Sequence, residues 1–297
     1  MLLGTPIDRV DEHVPRVLLQ GGQELKADLI VGADGILSVT RRSIAANDVE
    51  ILESPLCSFR ASAPIGLISS DPTIAHLMAD NIVNVWMGPD SDAVGHPIRN
   101  GDLYDFVLTH PGKAGIGDWN EPADVEGLRN QFTDWEPVVQ QLLSHVTSCV
   151  KWRLAYLPPL EKWVSESGRV VILGDAAHAM LPYMGQGAAM SIEDGAALAE
   201  CLDRVSELVD IPTVLQAFQD FRKPRCETIS KAALSNAENL HLHNGPEQEQ
   251  RDLQMMQEME GTAEPSEGKL TLDQLRDKNF EPWMFGYDTV KQVRFQF

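Results

Sequence analysis

The chain has 297 residues, 43% of them hydrophobic, with a formal net charge of -20 and a pI of about 4.7. That length and apolar content predict one large domain or two ordinary ones around a sizeable core. The acidity argues against a nucleic-acid or anionic-membrane surface, which needs a basic patch, although a local basic pocket for a phosphate stays compatible with it.

The amino terminus, MLLGTPIDRVDEHVPR, places acids early and has no apolar signal region. No apolar run approaches the roughly 18 residues of a membrane span. The four cysteines, Cys57, Cys149, Cys201 and Cys226, lack metal-type spacing. They read as reduced core thiols of a cytoplasmic protein, and no metal site is expected.

Residues 14–19, VPRVLL, predict a strand, QGGQ at 20–23 a turn, and Leu29-Ile30-Val31 a short buried strand ending at Gly32. GADGILSVTR at 32–41 then sets Asp34 after that strand, with Ser38 and Arg41 opening a helix. An aspartate among small residues can hold a diphosphate through water or accept from a sugar hydroxyl, and Arg41 can pair with it or with a phosphate. Residues 50–110 carry SFRASAPIGLI, NIVNVWMG, AVGHPI and LYDFVLTH between turn signals, which predicts a mainly antiparallel sheet. Residues 127–146 have helical spacing, with Leu128, Phe132, Trp135, Val139 and Leu142 or Leu143 on one side.

Val170 to Leu173 predict a buried strand. Gly174 then turns the chain and leaves Asp175 at the carboxyl end of the sheet, where open α/β sheets bind ligands. A carboxylate there can accept from a polyol hydroxyl; it can equally cap a turn or helix. Pro182-Tyr183-Met184-Gly185-Gln186-Gly187 leads into a helix expected to begin near Gly187. Its first N–H groups lack intrahelical partners and carry partial positive charge. Gly185, Gly187, Ala188 and Ala189 are small enough for a planar ligand to approach that backbone, or for a neighbouring element to pack tightly on it. Helices are predicted at about 187–205 and 212–240, the second with a kink at Pro224. Residues 244–268 hold seven acids and one arginine and read as a solvated linker or disordered loop. The aromatic tail is expected to dock on the body.

The two motifs together resemble one family. DLIVGADGILSVTR resembles the G-A-D-G-x-x-S-x-x-R motif of the flavoprotein aromatic hydroxylases, and VVILGDAAHAMLPYMGQGAAMSIEDGAALAECL resembles their second flavin motif, G-D-A-A-H-x-x-x-P-x-x-G-Q-G. The segment NVWMGPDSDAVGHPIRNGDLYDFVL and the later RKPR are most similar to the salicylate-hydroxylase-like branch, and the resemblance covers about residues 7–245. It implies an α/β fold: an incomplete Rossmann-like FAD-binding domain with an inserted, mainly antiparallel β-sheet substrate domain and C-terminal helices. The divisions expected are a partial FAD-binding domain at 1–45 and 165–240, a substrate domain at 46–164, an acidic linker at 241–268 and a tail at 269–297.

Residue by residue, the resemblance implies that Asp175 binds the ribityl chain of FAD, and that Gly185, Gln186, Gly187 and Ala188 face the pyrimidine edge of its isoalloxazine. Pro182 would lie beside the flavin face where the C4a-hydroperoxide forms. Asp34, with Arg41, would sit near the diphosphate. Arg60 stands at a proposed catalytic or substrate-orienting position, although an exposed edge arginine fits as well. His96 and Tyr183 are secondary candidates for substrate contact, and His178 is expected to be packed and hydrogen-bonded rather than a base. The implied reaction spends NAD(P)H and O2 to oxygenate a small aromatic molecule.

One departure stands out: relatives open with strand–G-x-G-x-x-G–helix, and no such unit follows a strand here. The resemblance therefore predicts an N-terminally truncated monooxygenase that binds FAD poorly or not at all. The alternatives are a non-catalytic remnant or interaction partner, or a flavin epoxidase or reductase.

Overall fold

The computed structural model describes residues 1–45, 49–78, 82–115, 121–260 and 280–296. In chain order the strands are β1 (Ile7–Asp11), β2 (Arg16–Leu19), β3 (Glu24–Lys26), β4 (Ile30–Gly32), β5 (Leu52–Pro64), β6 (Asn84–Gly88), β7 (Ser91–Ile98), β8 (Leu103–Pro111), β9 (Glu121–Ala123), β10 (Cys149–Tyr156) and β11 (Val170–Ile172). The helices are α1 (Val39–Ile44), α2 (Ile65–Ser70), α3 (Val125–Gln131), α4 (Pro137–Ser144), α5 (Asp175–His178), α6 (Gly187–Leu202), α7 (Ile211–Leu240), α8 (Pro246–Glu260), α9 (Phe280–Phe285) and α10 (Thr289–Gln296).

The chain divides into two units. The first comprises residues 1–52, 155–237 and the described part of 266–297. It holds the meander β1-β2-β3 and a two-stranded sheet of β4 and β11. The latter pair is parallel, in the register Val170↔Ile30, Val171↔Val31 and Ile172↔Gly32. The unbroken apolar run of β11 is accounted for by burial of all three of its residues at 0% exposure, as a strand covered on both faces requires. Around it pack Trp163, Leu215, Phe218, Ile229 and Met190.

The second unit comprises residues 53–154 and the described part of 238–265. Its six-stranded sheet has the order β6-β7-β8-β5-β10-β9. The pairings of β5 with β8 and of β7 with β8 are antiparallel. Alternation sorts the sheet's faces. Phe59, Ala61, Ala63, Ala93, Tyr104, Phe106 and Leu108 join Leu128, Phe132, Leu142 and Leu143 in one core. Arg60, Ser62, His96 and Asp105 fall on the opposite face by register.

Two sequence expectations change. The helix predicted over 127–146 is two helices, because Pro137, which lacks an N–H, opens α4 and Asp124 caps α3 with bonds to Glu126 N and Gly127 N. The helix expected at about 212–240 spans Ile211–Leu240 with Pro224 inside it, its buried side supplied by residues that include Phe218, Gln219, Arg222, Arg225 and Cys226. The described part of the predicted linker forms α8, in which Arg251, 4% exposed, donates to Asn239 O at 2.6 Å. Net charge and few bulky apolars hid that anchoring residue.

Gly95 marks the tightest point of the β7–β8 pair: a Cβ there would lie 2.7 Å from Tyr104 Cε1. The Tyr104 ring is fully buried, and its hydroxyl accepts from Asn84 at 2.9 Å, so it cannot swing away. Gly95→Ala should therefore lower the unfolding free energy by about 1–3 kcal/mol, read as a reduced urea midpoint. An unchanged midpoint would mean that the ring yields.

Candidate functional site

Asp34 and Asp175 follow neighbouring parallel strands at their carboxyl ends, and Leu173 N donates to Gly32 O at 3.0 Å where the two strands leave the sheet. Their carboxylates are used differently. Asp34 Oδ1 accepts from Ser38 Oγ at 2.5 Å, and Oδ2 from Val39 N, Thr40 N and Thr40 Oγ1 at 2.9, 2.9 and 3.0 Å. Burial opposes its ionisation, but the Ser38 and Thr40 hydrogen bonds prevail and hold the carboxyl below the usual range. With four bonds accepted, Asp34 organises the start of α1 and has little capacity left for a ligand. Asp175 is exposed, opens α5, and makes no hydrogen bond among the described residues.

Asp34 acts favourably on the Arg41 charge, while the hydrogen bonds of Arg41 go elsewhere. Arg41 is 5% exposed and donates to Ala176 O at 3.0 Å and Ile36 O at 2.5 Å. It is an internal strut from α1 to the turn that carries Asp175. Burial pushes its pKa down.

Gly174, at φ +59, takes the left-handed turn between β11 and α5. A Cβ on it would approach Ser191 Oγ to 3.0 Å, and Ser191 Oγ donates to Gly187 O at 3.1 Å. The start of α5 is thereby set beside the first turn of α6. There Gln186 occupies the cap position without a side-chain cap bond, and the first turn holds no acid. Gly187, Ala188 and Ala189 thus present N–H groups that α6 does not satisfy. Gly185 has φ +62, and neither Gly185 nor Gly187 would bring a Cβ within 4 Å of anything. Pro182 and Ala188 are exposed beside them. Tyr183 is 8% exposed, and its carbonyl accepts from Asn236 Nδ2 at 2.7 Å. It is packed into the body.

Beneath this surface lies a network that sequence reasoning missed. Asp194 is completely buried. Its Oδ2 accepts from Gly174 N at 2.9 Å and contacts His178 Nε2 at 2.6 Å, while Oδ1 accepts from Arg222 Nε at 2.8 Å. Arg222 also reaches Glu193 at 2.7 Å, and Arg225 grips both Glu193 oxygens at 2.8 Å. Arg225 further donates to the carbonyls of Trp283 and Met284 and lies over the Tyr287 ring at 3.7 Å. Burial works against a charged His178, yet the Asp194 bond outweighs it and raises the pKa to about 10. Burial likewise opposes ionisation of Asp194, and His178 and Arg222 reverse it, so its pKa is lowered. His178, Asp194 and Cys226 offer ligand atoms within 4.8 Å of one another, but the fixed charge of Arg222 on Asp194 opposes a metal cation there. The signal available in the sequence was the spacing of Glu193-Asp194 on one helix and Arg222 and Arg225 at i, i+3 on the next.

Arg60 and His96 belong to the other unit. Arg60 pairs with Asp105, Nε to Oδ2 at 3.1 Å and NH2 to Oδ2 at 3.1 Å. His96 stands opposite Asp105 in register, and its Nδ1 is buried without a hydrogen-bond partner among the described residues.

An α/β unit with a carboxylate at a strand end that makes no hydrogen bond among the described residues, beside an uncapped helix start, has the polar groups that a polyol-linked, electron-rich ligand would need. The family described as FAD binding domain matches residues 8–233, and the chain belongs to it. It is 34% identical over 290 residues to the FAD-dependent monooxygenase OpS4 of Beauveria bassiana (strain ARSEF 2860), covering 97% of this chain and 66% of that protein. It is 30% identical over 267 residues to the 3-amino-4-hydroxybenzoate 2-monooxygenase of Streptomyces cremeus, covering 89% of this chain and 62% of that protein. A solved salicylate hydroxylase substrate complex shares the fold, with a TM-score of 0.75 at 23% identity over 99% of this chain and 70% of that one. The chain thus spans less than two thirds of the length of these curated relatives.

The His178–Asp194 pair makes stability depend on pH. His178 has a folded pKa of about 10, above its ordinary 6.5. Its contribution is complete below the ordinary value and is lost as pH rises through the folded one. Wild-type unfolding free energy should fall by about 1 kcal/mol or more between pH 7 and 10, and His178→Gln should flatten that fall. Denaturant midpoints across this range measure it, and equal slopes in the two proteins would contradict the pairing.

Proposed function

We propose that the chain works as an FAD-dependent monooxygenase that consumes NAD(P)H and O2 to hydroxylate an aromatic or similar small molecule. The observation that carries the reading is the pairing, in one unit, of the free Asp175 carboxylate with the open, uncapped start of α6. The residues present fit the cofactor: among the described residues no atom lies within 4 Å of a Cβ built on Gly185 or Gly187, so a planar ring can approach that backbone, and Asp175 keeps acceptor capacity for a hydroxylated chain. FAD, reduced by NAD(P)H, supplies the activation of O2 and the transfer of one oxygen atom.

The protein's own work is binding and positioning. Asp175 would accept hydrogen bonds from the hydroxyls of the cofactor's polyol chain. The N–H groups of Gly187 and Ala188 would place partial positive charge beside a ring system that gains negative charge on reduction. Pro182, with no N–H to hydrate, would help keep water from it. Asp34 and Arg41 act by holding the two strand-end loops in place. The sheet face bearing Arg60 and His96 receives the substrate, Arg60 donating to one of its oxygens. The four cysteines are free and buried, which supports a reducing, cytoplasmic setting.

Asp175→Ala should weaken FAD binding by roughly tenfold or more, the worth of a hydrogen bond to a charged group. Flavin-fluorescence titration of the two proteins measures this. Equal dissociation constants would overturn the reading.

A further inference from the structure

The Arg60–Asp105 pair is lopsided. The Arg60 side chain is 55% exposed, and that of Asp105 only 5%. The contacts run along one edge of the guanidinium: Nε to Oδ1 at 3.3 Å and to Oδ2 at 3.1 Å, and NH2 to Oδ2 at 3.1 Å. A guanidinium carries about five N–H donors, and a side-on grip of this kind occupies two. The remaining donors lie on the outer edge, where the side chain is open. The acid forms a floor, and the arginine covers it.

Charge and geometry therefore separate on this surface. The outer edge of Arg60 is fixed in direction by Asp105, but its charge is matched by the carboxylate beneath. A second anion arriving there meets an attraction from Arg60 largely cancelled by repulsion from Asp105. A neutral oxygen loses nothing by that cancellation, since it needs only a directed N–H. Across the sheet on β7, His96 stands opposite Asp105 in register, with its Nδ1 buried.

We propose that Asp105 is a positioning and specificity residue. By neutralising Arg60 and aiming its outer edge, it makes this face select aromatic compounds whose recognised group is a neutral carbonyl or hydroxyl over aromatic carboxylates. The inference rests on the reading of the Arg60 face as the substrate surface.

The test is direct binding to the full chain by calorimetry, with and without added FAD. The two probes share a ring and a phenol: 2-hydroxyacetophenone is neutral, and salicylate carries a carboxylate. Wild type should bind the ketone about tenfold more tightly. Asp105→Asn, which frees the Arg60 charge at nearly constant shape, should shift the ratio toward salicylate by about tenfold. Arg60→Met should weaken the ketone without favouring salicylate. A pair serving only to brace the sheet would change stability and leave the ratio alone. The proposal is overturned if wild type prefers salicylate, binds neither probe, or keeps its ratio in Asp105→Asn. Should that variant fail to fold, the wild-type preference and the Arg60→Met result decide. Flavin titration is independent of this readout, so loss of the flavin reading and loss of the specificity proposal are told apart.

Discussion

The carboxylate of Asp194 is the point on which the first unit depends. It sits in the second turn of α6, fully buried, and ties three elements at once: the Gly174 amide at the end of β11, His178 at the end of α5, and Arg222 on α7. A buried carboxylate without partners would cost several kcal/mol, so these bonds are obligatory. The exposed features of the site inherit their placement from it. Asp175 lies one residue from the bonded Gly174 amide, and Gly185–Ala188 run straight into the helix that Asp194 anchors. The surface can stay open because its rigidity comes from below.

How much of this was legible in the sequence varies with the range of the interaction. The strand ending in Gly174-Asp175 and the glycine-rich entry to α6 were legible, because an apolar run, a turn residue and small residues in series are local signals. The division of 125–144 into two helices was missed because apolar periodicity ran through Phe132 and Trp135, while Pro137 and the Asp124 cap decided the break. Helix α8 was missed because its anchor, Arg251, binds a carbonyl contributed by α7. The motif reading set Arg41 near a diphosphate, and in the fold its hydrogen bonds go to backbone carbonyls. A single sequence shows that an arginine is present; which way it points is settled by contacts that are distant along the chain, such as Arg41 with Ala176 O.

The arginines show how one residue type is used in opposite ways. Arg41, Arg222 and Arg225 are each 5% exposed or less. Their planar forks each meet several acceptors, which a lysine's compact ammonium could not do in the same geometry. Arg60 has one acidic partner and an open outer edge. A buried arginine held on backbone carbonyls braces the fold, and a half-exposed arginine over a buried acid keeps donors open to solvent. That difference in exposure, which motif position does not show, separates Arg41 from Arg60.

The same bookkeeping of charge bears on the open start of α6. Glu193 and Asp194 lie only two turns from Gly187, and by themselves they would weaken the positive potential that an electron-rich ring edge needs. Arg222 and Arg225 hold both acids in ion pairs, and His178 adds a further cation. Both acids are thus matched by cations, so they do not set an uncompensated negative charge beneath the helix start. Asp194 holds the turn through its hydrogen bond from the Gly174 amide, and the arginines keep Glu193 and Asp194 from cancelling the field that the helix end supplies.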